Sequence, residues 1–382
     1  MASPLTLCFV AGARPNFPKI APILAALAGQ EEIRTLLVHT GQHYDAELSD
    51  VFFEDLGMPA PDWSLGVGSG SHASQTAAIM VAFEARCMEE RPDAVVVVGD
   101  VNSTVACALV AAKLLIPVVH VEAGLRSGDR TMPEELNRIV TDTLSDRLYT
   151  HCREADDNLA AEGISQDRIV LAGNVMIDSL LRLRERSRRP AGPETGLDLS
   201  EPFGLVTLHR PALVDDAGKL TEMLEALASL AEDLPLLYPV HPRTRRRMTE
   251  FGLAPAGEAS CSFRNSRLVL APQLRYLEFL WLLDHARLVL TDSGGIQEET
   301  TVLGVPCLTV RENTERAVTI RQGTNQLVGL EPSRLLDAAR AVLAQPMPTA
   351  DRVPEGWDGR SGQRIAEDLV HWLRSRAGSH TP

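Results

Sequence analysis

Three groups of residues in this 382-residue chain combine types and spacings that could do chemistry. The first is Asp292-Ser293-Gly294-Gly295, which follows an apolar run at 287–291 and leads straight into a helical pattern. A strand that stops in a Ser-Gly-Gly turn and opens a helix offers free N–H groups and the positive end of the helix dipole to an anion. The glycines remove side chains that would keep a phosphate from the backbone. Glu298 and Glu299 follow, where one could reach a ribose hydroxyl. A helix merely capped by Ser293 would read the same way, so this turn counts only together with the other groups.

The second group is acidic. The valine run at 95–98 ends in Gly99-Asp100, the run at 117–121 ends in Glu122, and Pro133-Glu134-Glu135 opens a helix. Proline and glutamate in a first turn are ordinary helix starts. Three acidic positions converging from neighbouring strand ends are less ordinary; they perturb one another's ionisation and supply acid/base partners. A divalent cation is the competing use, disfavoured by the histidines and arginines on the same edges. The third group is basic. His209-Arg210-Pro211 and His241-Pro242-Arg243 each end a strand, and Arg14 and Lys19 sit in the loop after the first strand. Asn313-Thr314-Glu315-Arg316 adds hydrogen-bonding groups, while Arg245-Arg246-Arg247 reads as a solvated helix face.

Such residues must be held by elements that end on a common edge, and the pattern supplies them. Short apolar runs at 5–10, 33–39, 94–98, 117–121, 147–150 and 168–171 alternate with helical segments such as 19–28, 103–115 and 134–144. This is the βαβ signature of a parallel sheet with helices on both faces. A Pro/Gly/charge-rich stretch at 187–201 reads as a linker or long loop, and a second series follows at 204–207, 236–240, 267–270, 287–291 and 305–309. Residues 345–360 are again loop-like, and an amphipathic helix at 361–375 closes the chain. The expected fold is α/β, with two Rossmann-like doubly wound domains facing across a cleft. The N-terminal one spans 1–173 plus 361–382 and the C-terminal one 174–360. Ligands of such sheets bind beyond the carboxyl ends of the strands. No G-x-G-x-x-G follows the first strand and no G-K-[ST] loop occurs; the glycines at 66, 68 and 70 read as a flexible loop.

Composition narrows the function class. A net charge of −14 argues against a nucleic-acid partner, which would need a basic face. The six cysteines form no C-x-x-C pair, which fits a reducing cytoplasm and no structural zinc. The start reads as a first strand rather than a signal peptide, and no run reaches the ~20 apolar residues of a membrane span.

Together these stretches resemble the non-hydrolysing UDP-N-acetylglucosamine 2-epimerases. The likeness runs from G-A-R-P-N-F-P-K-I-A-P at 12–22, through H-V-E-A-G-L-R-S-G-D at 120–129, M-P-E-E-L-N-R at 132–138 and L-T-D-S-G-G-I-Q-E-E at 290–299, to Q-G-T-N-Q-L-V-G at 322–329. The resemblance implies a glycosyltransferase-B architecture, no cofactor, no metal, a UDP-sugar substrate and a homodimer. It implies catalytic roles for Asp100, Glu122, Glu134 and His209. It assigns nucleotide contacts to Arg14, His241, Ser293, Gly294, Gly295, Glu299 and Arg316, with Lys19 and Arg138 in matching motifs. The implied reaction interconverts UDP-GlcNAc and UDP-ManNAc by eliminating UDP to 2-acetamidoglucal and adding it back. Alternatives are a 2-epimerase of a related UDP-2,3-diacetamido sugar or a UDP-sugar transferase on the same fold. Ala212-Leu213 and Ala317 depart from the family pattern. So does Gln42-His43-Tyr44-Asp45, where many members bind an activating second substrate molecule; weak or absent activation is expected.

Overall fold

A computed structural model describes residues 4–41, 53, 55–257, 260–347 and 353–379. The Gln42–Asp45 motif lies outside them. The chain forms two compact units, residues 1–182 with 355–382 and residues 183–354.

The first unit is built on a seven-stranded sheet: β1 (Leu5–Ala11), β2 (Ile33–His39), β3 (Trp63–Ser64), β4 (Ala94–Val98), β5 (Val118–Ala123), β6 (Arg147–Thr150) and β7 (Ile169–Leu171). Their order is β3-β2-β1-β4-β5-β6-β7 and every pairing is parallel. The order reverses between β1 and β4, which makes that edge the switch point where ligands of doubly wound sheets bind. All five residues of β4 are buried, as expected of a parallel strand covered on both faces. The second unit repeats the plan with β8 (Gly204–Thr207), β9 (Leu236–Pro239), β10 (Cys261–Ser262), β11 (Leu268–Ala271), β12 (Leu288–Thr291), β13 (Cys307–Thr309) and β14 (Asn325–Leu327). Here the order is β10-β11-β9-β8-β12-β13-β14, parallel except for β10. Its switch point lies between β8 and β12.

The α/β class with two doubly wound sheets is thus as expected from the alternation. The edge strands β3, β10 and β14 are two or three residues long and carry no periodicity to read. The stretch expected as a linker or long loop is mostly loop, and it also holds a short helix, Gly192–Thr195, and a buried Leu199. Arg245 is not solvated: it is buried and donates to the carbonyls of Leu270 and Ala271, pinning the end of β11.

The last helix, Ser361–Ser379, belongs to the first unit and packs on the helix Phe17–Leu27. The packing is close enough that a Cβ at Gly362 would meet the Pro22 carbonyl carbon at 2.7 Å. The helix Val175–Arg184 holds the other end of this arrangement, so it stays largely with the first unit, beyond the break expected after residue 173. Its Asp178 carboxylate accepts from Ser361 N (3.1 Å) and Gly362 N (2.7 Å), satisfying two of the donors that a helix start leaves open. Ser179 Oγ donates to Pro18 O at 2.6 Å. Asp178→Ala should therefore destabilise the protein by about 1–3 kcal/mol, the range for a lost charged cap. Chemical denaturation checks this, and an unchanged midpoint would remove Asp178 from the account.

Candidate active site

In the first unit, the loop after β1 enters a short 3-10 turn, Arg14–Asn16, and then the helix Phe17–Leu27. Asn16 organises it: its side-chain oxygen accepts from Gly12 N and Ala13 N, both at 2.9 Å, and its amide donates to Val98 O at 3.1 Å. The loop is thereby tied to the end of β4. Lys19, on the first turn of the helix, is buried and forms an ion pair with the buried Glu122.

Glu122 stands at a β-bulge. The β5–β6 register shifts between Val121 and Ala123, and Glu122 takes a φ of +69°. A non-glycine residue in the left-handed region is strained, and such strain persists only where surrounding contacts over-determine it. The bulge re-aims one side chain at the sheet edge, a common device next to active sites.

Asp100 follows β4 and is gripped by the helix Pro133–Leu144. Arg138 Nε lies 3.0 Å from its Oδ2, and Asn137 donates to its carbonyl at 2.9 Å. Arg138 is buried and also pairs with Glu135. Its charge is spent inside the unit. Glu135 in turn accepts from Ser127 N and Gly128 N, a structural use of the second glutamate in the pair. Glu134 is half-buried in the same first turn and makes no hydrogen bond or ion pair with the described residues. The adjacent network was not read from the sequence. His120, wholly buried on β5, lies 2.6 Å from Asp142 and 2.9 Å from the Gly99 carbonyl, and Arg126 approaches Asp142 at 2.8 Å. Burial pushes the Asp142 carboxyl upward, but its contacts with His120 and Arg126 outweigh this and hold it below the ordinary carboxylate range.

In the second unit, His209 follows β8 with its side chain 44% exposed. Its Nδ1 lies 2.9 Å from Oδ1 of the buried Asp292. The other oxygen of Asp292 accepts from His209 N and Arg210 N, at 2.7 and 2.8 Å. His209 and His241 have ring centroids 6.1 Å apart. His241 caps the helix Pro242–Glu250 by accepting from Arg243 N at Nδ1, so a neutral His241 ring carries its proton on Nε2.

Ser293 precedes the helix Gly294–Leu303, but its side chain makes no capping bond. The purely structural reading of Ser293 as a cap therefore does not hold. The first glycine has a further reason to be there: a Cβ at Gly294 would meet Glu315 Oε1 at 2.9 Å. Glu315 is balanced by Arg311, 2.9 Å away. Arg316 is buried with its Nε 2.8 Å from the buried Glu298. Glu299 accepts from Tyr276 Oη at 3.0 Å. Burial pushes the Glu299 carboxyl up to about 7; the Tyr276 bond lowers it and neighbouring Glu298 raises it again.

Among the described residues, each unit thus gathers its expected residues beyond the carboxyl ends of its own strands. Arg14, Lys19, Asp100, Glu122, Glu134 and Arg138 lie in the first unit, and His209, His241, Ser293, Gly294, Gly295, Glu299 and Arg316 in the second. Of the residues that orient them, Asn16, His120 and Asp292 lie inside the motifs without marking this role, and Asp142 and Tyr276 lie outside every motif. No cluster of His, Cys, Asp or Glu among the described residues has the arrangement of a metal site.

A pH dependence follows from Glu299. Its folded pKa, about 7, lies above the unfolded value of about 4.3, so its contribution to stability is full below the unfolded value and is lost as pH rises through the folded one. Glu299→Gln removes this loss. Its thermal midpoint relative to the unmutated protein should rise between about pH 5 and pH 8, as calorimetry at several pH values would show.

The sequence profile of the UDP-N-acetylglucosamine 2-epimerase family matches residues 25–370. The UDP-N-acetylglucosamine 2-epimerase of Methanocaldococcus jannaschii is 38% identical over 372 residues, covering 96% of this chain and 99% of that protein. The UDP-2,3-diacetamido-2,3-dideoxy-D-glucuronate 2-epimerase of Pseudomonas aeruginosa is 40% identical over 364 residues, covering 94% and 98%. The crystal structure of the M. jannaschii UDP-GlcNAc 2-epimerase, in complex with UDP-GlcNAc and UDP, superposes with a TM-score of 0.85 at 37% identity, covering 96% of this chain and all of that one. With a profile match and relatives that span nearly its whole length, this chain belongs to the UDP-N-acetylglucosamine 2-epimerase family.

Proposed function

We propose that the protein interconverts UDP-N-acetylglucosamine and UDP-N-acetylmannosamine without hydrolysis and without a cofactor. The observation that carries the reading is the division of chemistry between the two sheet edges. Carboxylates gather on one, and a helix start with an uncapped Ser293 beside two histidines lies on the other.

The substrate explains why both are needed. The hydrogen at C2 of a 2-acetamido sugar is not acidic, because no carbonyl adjoins that ring carbon. Breaking the anomeric C–O bond leaves an oxocarbenium-like C1, which acidifies it. UDP is the leaving group, and its developing charge needs fixed donors. Ser293, Gly294, Gly295, His241 and Arg14 are assigned to UDP, Glu299 to the ribose, and His209 to the diphosphate, with Asp292 fixing its ring. Arg316 holds its place through Glu298. Asp100, Glu122 and Glu134 stabilise the cation and move the C2 proton. Lys19 and Arg138 aim Glu122 and Asp100 through their ion pairs. The intermediate is 2-acetamidoglucal with UDP, and re-addition with the proton on the other face completes inversion at C2.

A second reading, epimerisation of a UDP-2,3-diacetamido sugar, is supported by the P. aeruginosa relative. A homodimer is proposed as well. Exposed Val81, Met88, Leu115, Leu136 and Val140, on or next to three consecutive helices of the first unit, support it. A cytoplasmic location is supported by six unpaired cysteines, as a reducing compartment leaves them.

Incubation with UDP-GlcNAc alone should give the manno epimer by NMR, with no acceptor present and with EDTA added. Turnover only of the diacetamido substrate would favour the second reading, and a requirement for an acceptor would favour a transferase. In D₂O the product should carry deuterium at C2, because the abstracted proton exchanges with solvent; product without it would leave elimination unsupported. Glu122→Gln and Glu134→Gln keep shape but lose a titrating group, and each should lower kcat by on the order of 10²-fold.

A further inference from the structure

We propose that His120 is a doubly protonated, buried positioning residue that aims both Asp100 and Glu122 and depends on Asp142 for its charge. The proposal rests on the reading of Asp100 and Glu122 as catalytic.

The two ring nitrogens of His120 both face acceptors. Nδ1 lies 2.6 Å from an oxygen of Asp142, and Nε2 lies 2.9 Å from the Gly99 carbonyl. A carbonyl oxygen only accepts, and so does an ionised carboxylate. A neutral imidazole has one donor, so one of these contacts would set two lone pairs against each other. Arg126 at 2.8 Å and Gly124 N at 3.1 Å hold Asp142 as a carboxylate, so only the ring with two protons satisfies both, and a wholly buried ring has no water to turn to. The charged groups around it are accounted for. Asp142 faces it from the helix Pro133–Leu144 and is shared with Arg126, which also pairs with Glu162. Across Gly99 lie Lys19 and Glu122: a Cβ at Gly99 would meet Lys19 Nζ at 3.0 Å and Glu122 Oε2 at 3.8 Å. Beyond the Gly99–Asp100 peptide stands the Asp100–Arg138 pair.

What the charge holds is the Gly99–Asp100 peptide. Its carbonyl is fixed by His120, the Asp100 carbonyl by Asn137 and the Asp100 carboxylate by Arg138. Asn137, Arg138 and Asp142 stand on one helix, so that helix grips Asp100 at three points, one of them through His120. The same Asp142 carboxylate also clamps the strained bulge. It takes His120 two residues before Glu122 and Gly124 N, at 3.1 Å, two residues after it. This closure over-determines the left-handed conformation of Glu122.

The test uses the full-length protein with ¹⁵N-labelled histidine, the His120 signals being assigned by their loss in His120→Gln. Both ring nitrogens of His120 should be protonated at neutral pH. In Asp142→Asn the amide oxygen stays with Gly124 N and Arg126 and the NH2 group faces Nδ1, so the ring should lose its Nδ1 proton and its charge, and the Gly99 bond becomes a weaker, neutral one. The variant's kcat should then fall by roughly 10–100-fold, the scale for a misaimed catalytic group, with KM for UDP-GlcNAc within about 3-fold. Its activity relative to the unmutated enzyme should recover as pH is lowered and the ring regains its second proton; a merely structural lesion gives no such recovery. One unprotonated His120 nitrogen in the unmutated protein would overturn the proposal, as would an unaltered kcat in Asp142→Asn. If that variant fails to fold, the ring spectrum of the unmutated protein and the kcat of His120→Gln decide. Absence of any epimerase activity in the unmutated protein would count against the proposed function, leaving the ring spectrum to judge the charge on His120.

Discussion

A parallel strand cannot turn straight back; it must cross over through a helix before its neighbour begins. Both sheets obey this constraint nearly throughout, so their strands end on one edge and their following loops gather there. That is why residues as far apart in sequence as Lys19, Asp100 and Glu122 reach one sheet edge in the first unit, and His209, His241 and Ser293 one edge in the second. The constraint also has a cost. Loops that gather charge at the end of a buried sheet bring carboxylates into poor solvation, where each must find a partner or give up its ionised form. The first unit answers with cations: Lys19 for Glu122, Arg138 for Asp100 and Glu135, and Arg126 for Asp142. The second pairs Glu298 with Arg316 and leaves Glu299 poised near neutrality beside Tyr276.

The chain's net charge of −14 therefore describes its outside more than its working edges. At the strand ends positive charge stands where an acid needs it, as Lys19 does for Glu122 and Arg138 for Asp100. Arginine in particular acts as a frame. Arg138 and Arg316 are buried, and Arg245 uses its guanidinium to tie two backbone carbonyls together. A basic residue in a strand-end motif thus serves the protein's own acids and carbonyls as well as any ligand.

The elements were legible because the apolar runs of a doubly buried parallel strand are dense. The run at 94–98 needed no tertiary context to be read, and the residues that end such strands were legible with it. Less legible was what each side chain does once there. Glu134 and Glu135 are adjacent and identical in type, yet one is consumed by two backbone N–H groups and an arginine while the other stays without a described partner. Helical phase separates them by about a quarter turn, and only the placement of residues 127–128 decides which is used. His120 sat in plain view within the H-V-E motif, but a buried histidine announces itself by its two acceptors, and both come from other elements. The short edge strands were lost for a simpler reason: two residues carry no period.

The return of the last helix to the first unit has a consequence for how the protein is made. Residues 1–182 leave the ribosome long before residues 355–382, yet the two belong to one unit. Until residues 361–379 have emerged, the helix Phe17–Leu27 lacks the neighbour that covers it, and Asp178 has no helix start to cap. The second unit is continuous in sequence and is complete before the first can close. The order of emergence and the order of completion are reversed for the two units, and the nascent chain carries an uncovered apolar face on the helix Phe17–Leu27 until the second unit has been made and residues 361–379 follow it.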